Sequence, residues 1–325
     1  MTENSQPARS ALHRRATAVP SLMRRAVTTA VCGTAAVGLL VLAPPSVAIA
    51  SASSTTPVAT GGPGDMEKSI VYVGIDWTGY VEFPTEDGSW EWSDAVHVHM
   101  GCTGWFASDE GHVVTAGHCV DPEGVKIYIL RQFLADNDAS HLEQSALGWQ
   151  VTGWETSSPD RDEVQVVQPS AVEGAVIDEP LTVQVIDYLP LADGDLALLK
   201  ANGLTEATPP LTIATDPPSI GSAVTAIGYP GSVASVSDVS RLRASFKSGT
   251  VSSSQVTEHG VAGTEINADL SGGMSGGPTV DATGQVLGVN SYTVGDGQSF
   301  NFITCLLYTS PSPRDLSTSR MPSSA

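Results

Sequence analysis

The sequence predicts an all-β fold, either a sandwich or a barrel, and its length favours two barrels packed together. The first observation is a series of short β-branched segments bounded by Gly, Pro, Asp or Ser, which is typical of strands. They are SIVYVGIDW, VKIYIL, LTVQVIDYL, SAVTAIGY and QVLGVNSYTV. Helical periodicity is scarce, and LRQFLADNDASHLEQSALGW is the best candidate for a helix or helical loop. The third observation is length, because roughly 235 residues are many for a single barrel.

The first 50 residues predict an export signal. Five arginines among the first 25 residues precede the uncharged run AVTTAVCGTAAVGLLVLA, and the small-residue pattern Ala48-Ile49-Ala50 ends the segment. An uncleaved membrane anchor is the alternative, although the Ala, Gly and Thr content of the run matches lipid poorly. Residues 51–68 are rich in Ser, Thr, Pro and Gly, which is typical of a flexible linker. We therefore expect a secreted protein, extracellular or in the cell envelope.

The C-terminal residues 305–325 resemble a translated sequencing adapter. The segment CLLYTSPSPRDLSTSRMPSSA matches such an adapter on both sides of an index gap, which a natural Ser/Pro-rich tail would not do. We therefore expect residues 69–304 to form the folded domain, residues 305–325 to be an artefact, and the natural chain to be cut near Thr304.

Cysteine content and charge restrict the compartment and the partners. Of the four cysteines, Cys32 lies in the export signal and Cys305 in the adapter-like segment. Cys102 and Cys119 remain, and an even number in an exported domain predicts a disulfide. The chain has 35 acidic residues against 15 Lys and Arg, a formal net charge of −20. Such a surface repels nucleic acid and anionic lipid, and it suits cationic substrates or a salty medium equally well.

The stretch LSGGMSGGPTV contains two candidate nucleophiles, Ser271 and Ser275. Residues 273–277 fit the Gly-x-Ser-x-Gly pattern of α/β-hydrolases, in which the histidine follows the serine along the chain. No histidine follows Ser275, and the strands do not alternate with helices, so that interpretation fails. The partners of the serine must lie upstream, where VVTAGHCVD contains His118 and DGDLALLK contains two aspartates.

In chain order, VVTAGHCVD, DGDLALLK and GGMSGGP resemble the motifs of trypsin-like serine proteases, and within them the bacterial HtrA-like branch. The resemblance covers roughly residues 90–304 and implies two packed six-stranded antiparallel β-barrels with the site in the cleft between them. It assigns the nucleophile to Ser275, the base to His118 and the orienting acid to Asp195. Asp193 competes for the last role, but the apolar run LALL directly after Asp195 predicts a strand entrance there.

These residue types suit acyl transfer. A serine hydroxyl is a poor nucleophile until an imidazole takes its proton, and a buried carboxylate fixes the imidazole tautomer. The developing oxyanion needs backbone N–H donors already directed at it, and the resemblance assigns these to Gly273 and Ser275. Ser271 lies where the family has variable loop residues, so we interpret it as a polar turn residue. The mechanism implies protein or peptide substrates and no metal or organic cofactor.

The substrate preference stays open between two alternatives. The resemblance puts Asp269, six residues before Ser275, at the base of the pocket for the residue preceding the cut, where a carboxylate would pair with Arg or Lys. Ser291, Tyr292 and Thr293 match the wall strand of that pocket. Thr293 stands where a wide pocket has glycine, which would narrow the entrance and favour small aliphatic residues.

Several features remain outside the motif pattern. Met274 stands where many trypsin relatives have an aspartate used in activation, which HtrA-like enzymes also lack. HtrA-like chains often continue into a peptide-binding PDZ domain, which the expected truncation would hide.

His97 and His99 share a strand face near His112, but a metal site would need a third ligand, so an ordinary strand face is favoured. Residues 131–178 resemble an insertion. An inactive trypsin-like binding module is the rival class of function.

Overall fold

The computed structural model describes residues 63–234, 241–256, 260–294 and 300–309. The predicted export signal, most of the linker and most of the adapter-like segment lie outside these ranges, so those predictions stay predictions. The end of the predicted linker is helical, because helix α1 covers Pro63–Glu67. In the described ranges, no helix combines the length and the apolar character needed to cross a membrane.

The N-terminal half forms one antiparallel sheet of nine strands. The strands are β1 Ile70–Pro84, β2 Trp90–Trp92, β3 Val96–Phe106, β4 His112–Thr115, β5 Gln150–Thr152, β6 Asp160–Val167, β7 Leu181–Thr182, β8 Gln184–Leu189 and β9 Leu196–Lys200. The main path runs β7-β6-β1-β3-β4-β9-β8, and β2 and β5 both pair with β1. Buried and partly exposed residues alternate along β1, the period of a strand with one face in the core.

The C-terminal half is a closed six-stranded antiparallel barrel in the order β10-β11-β12-β15-β14-β13. Its strands are β10 Ala223–Gly228, β11 Ser245–Val256, β12 Ala262–Ile266, β13 Pro278–Asp281, β14 Val286–Val294 and β15 Phe300–Cys305. Closure removes the open edges that would otherwise pair with other chains. Cys305, the first residue of the adapter-like segment, pairs with Gly288 at the end of β15 and is buried.

The prediction of an all-β fold with two packed β-barrel units is confirmed, and the N-terminal unit differs in strand number. The difference arises because β1 has 15 residues, more than its two long neighbours cover. Residues 70–79 pair with β3, and residues 80–84 continue beyond it and pair with β2 and β5. The N-terminal unit is therefore a sheet of nine strands rather than a closed ring of six.

One predicted strand is wrong. The segment VKIYIL lies in helix α2, Lys126–Asp136, preceded by Val125. Val125, Ile127 and Ile129 alternate as in a strand, but Ile129, Leu130 and Leu134 are buried and Phe133 packs against the same core, which is one face of a helix. The predicted helical loop is confirmed by the second half of α2, a 3-10 turn and helix α3, Glu143–Ala146. Two further short helices are α4 Gly231–Ala234 and α5 Leu306–Thr309.

Residues 131–178 are not an appendage to the domain. They contain β5 and β6, and β6 pairs with β1 on one side and β7 on the other. The segment therefore supplies part of the N-terminal sheet, while α2 packs beside the sheet.

The two halves share one apolar core. The largest buried cluster contains most of the N-terminal sheet together with Ile227, Tyr229 and Leu242 of the C-terminal half. A second, smaller cluster fills the interior of the C-terminal barrel. Because dense apolar packing joins the halves, residues at their boundary are held in fixed relative positions.

Candidate active site

The His118 imidazole lies against the Asp195 carboxylate at the boundary of the two halves. Its Nδ1 atom is 2.9 Å from Asp195 Oδ2 and 3.0 Å from Oδ1, and its backbone N–H donates to Oδ1 at 2.8 Å. His118 lies in the 3-10 turn Gly117–Cys119 after β4, and Asp195 directly precedes β9, the strand that pairs with β4. Pairing of these two strands therefore brings the two side chains together.

The environment of Asp195 keeps its carboxylate charged. The side chain is 1% exposed and accepts a hydrogen bond from the Ser291 hydroxyl besides those from His118. Burial acts to raise the pKa of Asp195, but the hydrogen bonds and charge of His118, with the bond from Ser291, outweigh it and lower the pKa. Asp195 also has φ +53°, a left-handed conformation that aspartate tolerates better than most residues. The hydrogen bonds to His118 and Ser291 hold the Asp195 backbone in this strained conformation.

Ser275 lies across the boundary, on the loop between β12 and β13. Its carbonyl oxygen accepts a hydrogen bond from the Thr103 N–H at 2.8 Å, which ties the loop to β3. Its hydroxyl donates to the Ser291 carbonyl oxygen at 3.5 Å, the outer limit of a hydrogen bond. Among the described residues, no hydrogen bond joins this hydroxyl to His118, although both line the same cleft. Nucleophile–base contacts are often loose before substrate binds.

The backbone at Gly273 has the conformation of a tight turn that a side chain would not permit. Its φ is +91°, and a Cβ there would lie 2.5 Å from the Tyr229 carbonyl oxygen. The Gly273 carbonyl oxygen accepts from Thr103 Oγ1 at 2.7 Å, and the Gly272 carbonyl oxygen accepts from the Gly231 N–H at 2.7 Å, so the peptides on both sides of Gly273 are anchored through their oxygens. Within the described ranges, neither the Gly273 N–H nor the Ser275 N–H donates a hydrogen bond. Both donors therefore remain available for a ligand oxygen.

A cleft of about 390 Å³ contains most of the predicted site residues. The members that bear on the predictions are His118, Ser271, Ser275, Ser291, Tyr292 and Thr293. Asp269 is exposed and does not line this cleft. The structure therefore brings the expected nucleophile, base and wall strand together, and it leaves the expected pocket-base carboxylate outside.

Strand β14, which contains the expected pocket-wall residues, is held by contacts with residues outside the cleft. The Tyr292 ring stacks on Phe302 with 5.0 Å between centroids, and burial raises the pKa of its hydroxyl, with a further contribution from Asp195. Thr293 Oγ1 donates to Asn301 Oδ1 at 2.8 Å. These contacts order β14 beside the candidate nucleophile.

The predicted disulfide is present between Cys102 and Cys119. It joins β3 to the 3-10 turn that contains His118, and the two sulfurs lie near the imidazole. Bonded sulfurs offer no thiolate, so this group is a structural bridge rather than a set of metal ligands. On the outer face of the sheet, His97 is hydrogen-bonded to Thr78 and His99 to Asp76, cross-strand contacts of an ordinary strand face.

Three supporting roles were not predicted from the sequence. Ser291 was expected only in the pocket wall, yet its hydroxyl binds Asp195. Asn290 Nδ2 donates to the Met274 and Ile227 carbonyl oxygens, which ties the loop that contains Ser275 to strand β10. Arg161 Nη1 donates to the Val120 carbonyl oxygen just after the disulfide. Each contact spans many residues of sequence, so no local pattern signals it.

Comparison with known proteins places this chain among trypsin-like peptidases. The family model described as trypsin-like peptidase domain matches residues 102–289, more than half of the chain. The curated serine proteases MT3772 and Rv3671c, both of Mycobacterium tuberculosis, are each 34% identical over 116 residues. That stretch is 34% of this chain and 28% of each relative, so the match spans little more than a quarter of their length.

Solved structures of similar proteins show lower sequence identity. The active form of the Rv3671c protease from M. tuberculosis is 21% identical, with 80% of this chain and 91% of that chain covered and a TM-score of 0.46. The serine endoprotease from Yersinia pestis is 15% identical, with 75% of this chain and 60% of that chain covered and a TM-score of 0.43.

Proposed function

Because this chain belongs to the trypsin-like peptidase domain family, we propose that it is a secreted serine endopeptidase. The single observation that carries the proposal is the buried Asp195 carboxylate 2.9 Å from His118 Nδ1, with the Ser275 hydroxyl in the same cleft. The expected secretion rests on the N-terminal sequence pattern alone. Its substrates are proteins or peptides, and its chemistry requires no metal or organic cofactor.

In the first half of the reaction, Ser275 attacks the carbonyl carbon of the scissile peptide bond. His118 Nε2 takes the hydroxyl proton as the new C–O bond forms, and then gives it to the leaving amine as the C–N bond breaks. Asp195 orients the ring through Nδ1 and stabilises the imidazolium while it holds the extra proton. The low pKa of Asp195 supports this role, since the carboxylate stays ionised beside the imidazolium.

The tetrahedral intermediate places a negative charge on the former carbonyl oxygen. The N–H groups of Gly273 and Ser275 have no acceptor in the described ranges, which suits them to bind this oxyanion. In the second half, water replaces the amine and His118 again takes and returns a proton, so the acyl-enzyme is hydrolysed and Ser275 regenerated.

For the residue preceding the cut, we propose a preference for small aliphatic side chains over basic ones. Asp269, the carboxylate that would attract Arg or Lys, is exposed and outside the cleft. The nearby wall contains Leu270 and the β-branched Thr293, which leaves a narrow apolar entrance. A hydrophobic pocket of this kind discriminates by size more than by charge.

Serine-directed labelling tests the proposed function. A fluorophosphonate probe should label the wild type and Ser271→Ala, and it should not label Ser275→Ala, since only Ser275 follows the candidate oxyanion glycine by two residues. Peptide hydrolysis should follow the same pattern. Ser271 is a matched control because it is a serine on the same loop and lines the same cleft. A folded wild type that neither reacts with the probe nor cleaves peptides would instead support an inactive binding module.

A further inference from the structure

Glu67, in helix α1, is a buried carboxylate with a complete set of charged and backbone partners. Its side chain is 4% exposed, and it accepts from Arg243 Nε at 2.8 and 2.9 Å and from Arg243 Nη2. The Ala244 backbone N–H donates to the same carboxylate at 3.0 Å. A buried carboxylate is costly unless such charge-assisted bonds persist, so loss of the Arg243 contacts would leave the Glu67 charge uncompensated.

The ion pair joins the start of the N-terminal half to the C-terminal barrel. Around Glu67 the chain is fixed to the sheet, because the Ser69 carbonyl oxygen accepts from the Phe106 N–H and the Lys68 carbonyl oxygen accepts from Gln168 Nε2. Arg243 lies two residues before β11, and its side chain is 58% exposed. The carboxylate is therefore the fixed partner, and the segment before β11 is what it holds.

Tyr229 connects this ion pair to the candidate oxyanion site. It is buried at the end of β10, in the same apolar cluster as Leu242, the residue before Arg243. Gly228 pairs with Ser245 between β10 and β11, so the next residue, Tyr229, lies beside Ala244, whose N–H donates to Glu67. Burial and the charge of Glu67 raise the pKa of Tyr229, while the charge of Arg243 acts to lower it. The other side of Tyr229 faces Gly273, since its carbonyl oxygen lies 2.5 Å from where a Cβ on that glycine would be.

Thr103 forms a second connection between the same two residues. Its Oγ1 accepts from the Tyr229 N–H at 2.9 Å and donates to the Gly273 carbonyl oxygen at 2.7 Å. The Thr103 bond orients the peptide between Gly273 and Met274. The peptide that carries the Gly273 N–H is held through the Gly272 carbonyl oxygen, which accepts from the Gly231 N–H at 2.7 Å, two residues after Tyr229. Displacement of Tyr229 would therefore turn the peptides around Gly273.

We propose that Glu67 and Arg243 are positioning residues that hold Tyr229, and through it the Gly273 N–H, in the geometry required to bind the oxyanion. The inference rests on the proposed function, and it gives the segment around Glu67 a role in setting the rate of the catalytic step. Glu67 lies at the C-terminal end of the predicted linker, residues 51–68, so the integrity of that segment controls the catalytic step without touching substrate. Small displacements of a group near the reacting atoms can cost about a hundredfold in rate.

Glu67→Gln and Arg243→Lys test the proposal, with Asp65→Asn as the matched control. Gln keeps the shape of the side chain and removes its charge, whereas Lys keeps the charge of Arg243 and removes the two-pronged contact. Asp65 is on the same helix and pairs with Lys68 at the surface, so its replacement removes one carboxylate without affecting Arg243. Near-UV circular dichroism establishes folding, and Arg243→Lys decides the question if Glu67→Gln does not fold.

The measurement compares a peptide aldehyde, which forms an oxyanion with the serine, with the corresponding peptide alcohol, which does not. We expect Glu67→Gln and Arg243→Lys each to weaken inhibition by the aldehyde and to lower kcat, both by about tenfold or more. Inhibition by the alcohol and KM should stay within about twofold of the wild-type values. Asp65→Asn should leave all four values unchanged. Folded variants that bind both inhibitors as the wild type does, or that lose both equally, would overturn the proposal. A wild type that does not prefer the aldehyde would refute the proposed function itself.

Discussion

Replacing Gly273 with alanine adds one methyl group where the backbone leaves no room for it. The new Cβ would lie 2.5 Å from the Tyr229 carbonyl oxygen and 2.7 Å from the Gly231 nitrogen, and both are backbone atoms. The φ of +91° is also one that residues with a side chain rarely adopt. The substitution must therefore move the peptide that provides the candidate oxyanion donor.

The size of the effect has two parts. The left-handed conformation costs about 1–2 kcal/mol for a residue with a Cβ, and the forced backbone shift adds about 1–3 kcal/mol. The free energy of unfolding should thus fall by about 2–5 kcal/mol, which lowers Tm by about 4–20 °C for a domain of this size. Loss of one oxyanion donor should lower kcat by about 10²–10³.

Two other glycines separate these contributions. Gly221 has φ +84° with nothing within 4 Å of its Cβ position, so Gly221→Ala measures the conformational cost alone and should leave kcat unchanged. Gly272 has no neighbour within 4 Å and no positive φ, so Gly272→Ala is a control for thermal stability only. Thermal unfolding and steady-state peptide hydrolysis are the assays. If Gly273→Ala loses no more stability than Gly221→Ala and retains kcat within about threefold, the assignment of the oxyanion donor is refuted.

Four further outcomes are expected. Replacing Cys102 and Cys119 with alanine should lower the free energy of unfolding by about 3 kcal/mol, since the bridge closes a loop with a sequence separation of 17; two free thiols in the mass spectrum of the exported protein would contradict this. Asp195→Asn should lower kcat by a factor on the order of 10⁴. Burial acts to raise the pKa of Asp195 but its partners lower it, so its contribution to stability is present above the ordinary aspartate pKa and is lost as the pH falls through the lowered value. Wild-type and variant unfolding free energies should therefore converge in acid, and a constant difference would argue against the linkage. Asp269→Ser should leave the cleavage preference in a peptide library unchanged, because the carboxylate is exposed; a loss of preference for Arg or Lys would restore the basic-pocket hypothesis.

The fold class and the candidate residues for the chemistry can be predicted from local sequence patterns. Strand patterning and length predict the two β units, since alternation along a strand is a local property. Motif order excludes an α/β-hydrolase, because no histidine follows Ser275. The resemblance to trypsin-like proteases, whose motifs follow the order His, Asp, Ser, assigns the roles to His118, Asp195 and Ser275. The disulfide partners follow from elimination among four cysteines.

Roles that depend on burial and on distant partners become visible only when the chain is folded. VKIYIL has both strand and helix periodicity, and packing of its apolar face beside the sheet selects the helix. Ser291 binds Asp195 rather than only lining a wall, and Asp269 is turned away from the cleft. Glu67 lies 176 residues from Arg243 along the chain, so no local pattern could pair them. The physical reason is the same in each case: sequence periodicity reports the chemistry of neighbouring residues, whereas desolvation and hydrogen-bond partners are set by which segments pack together.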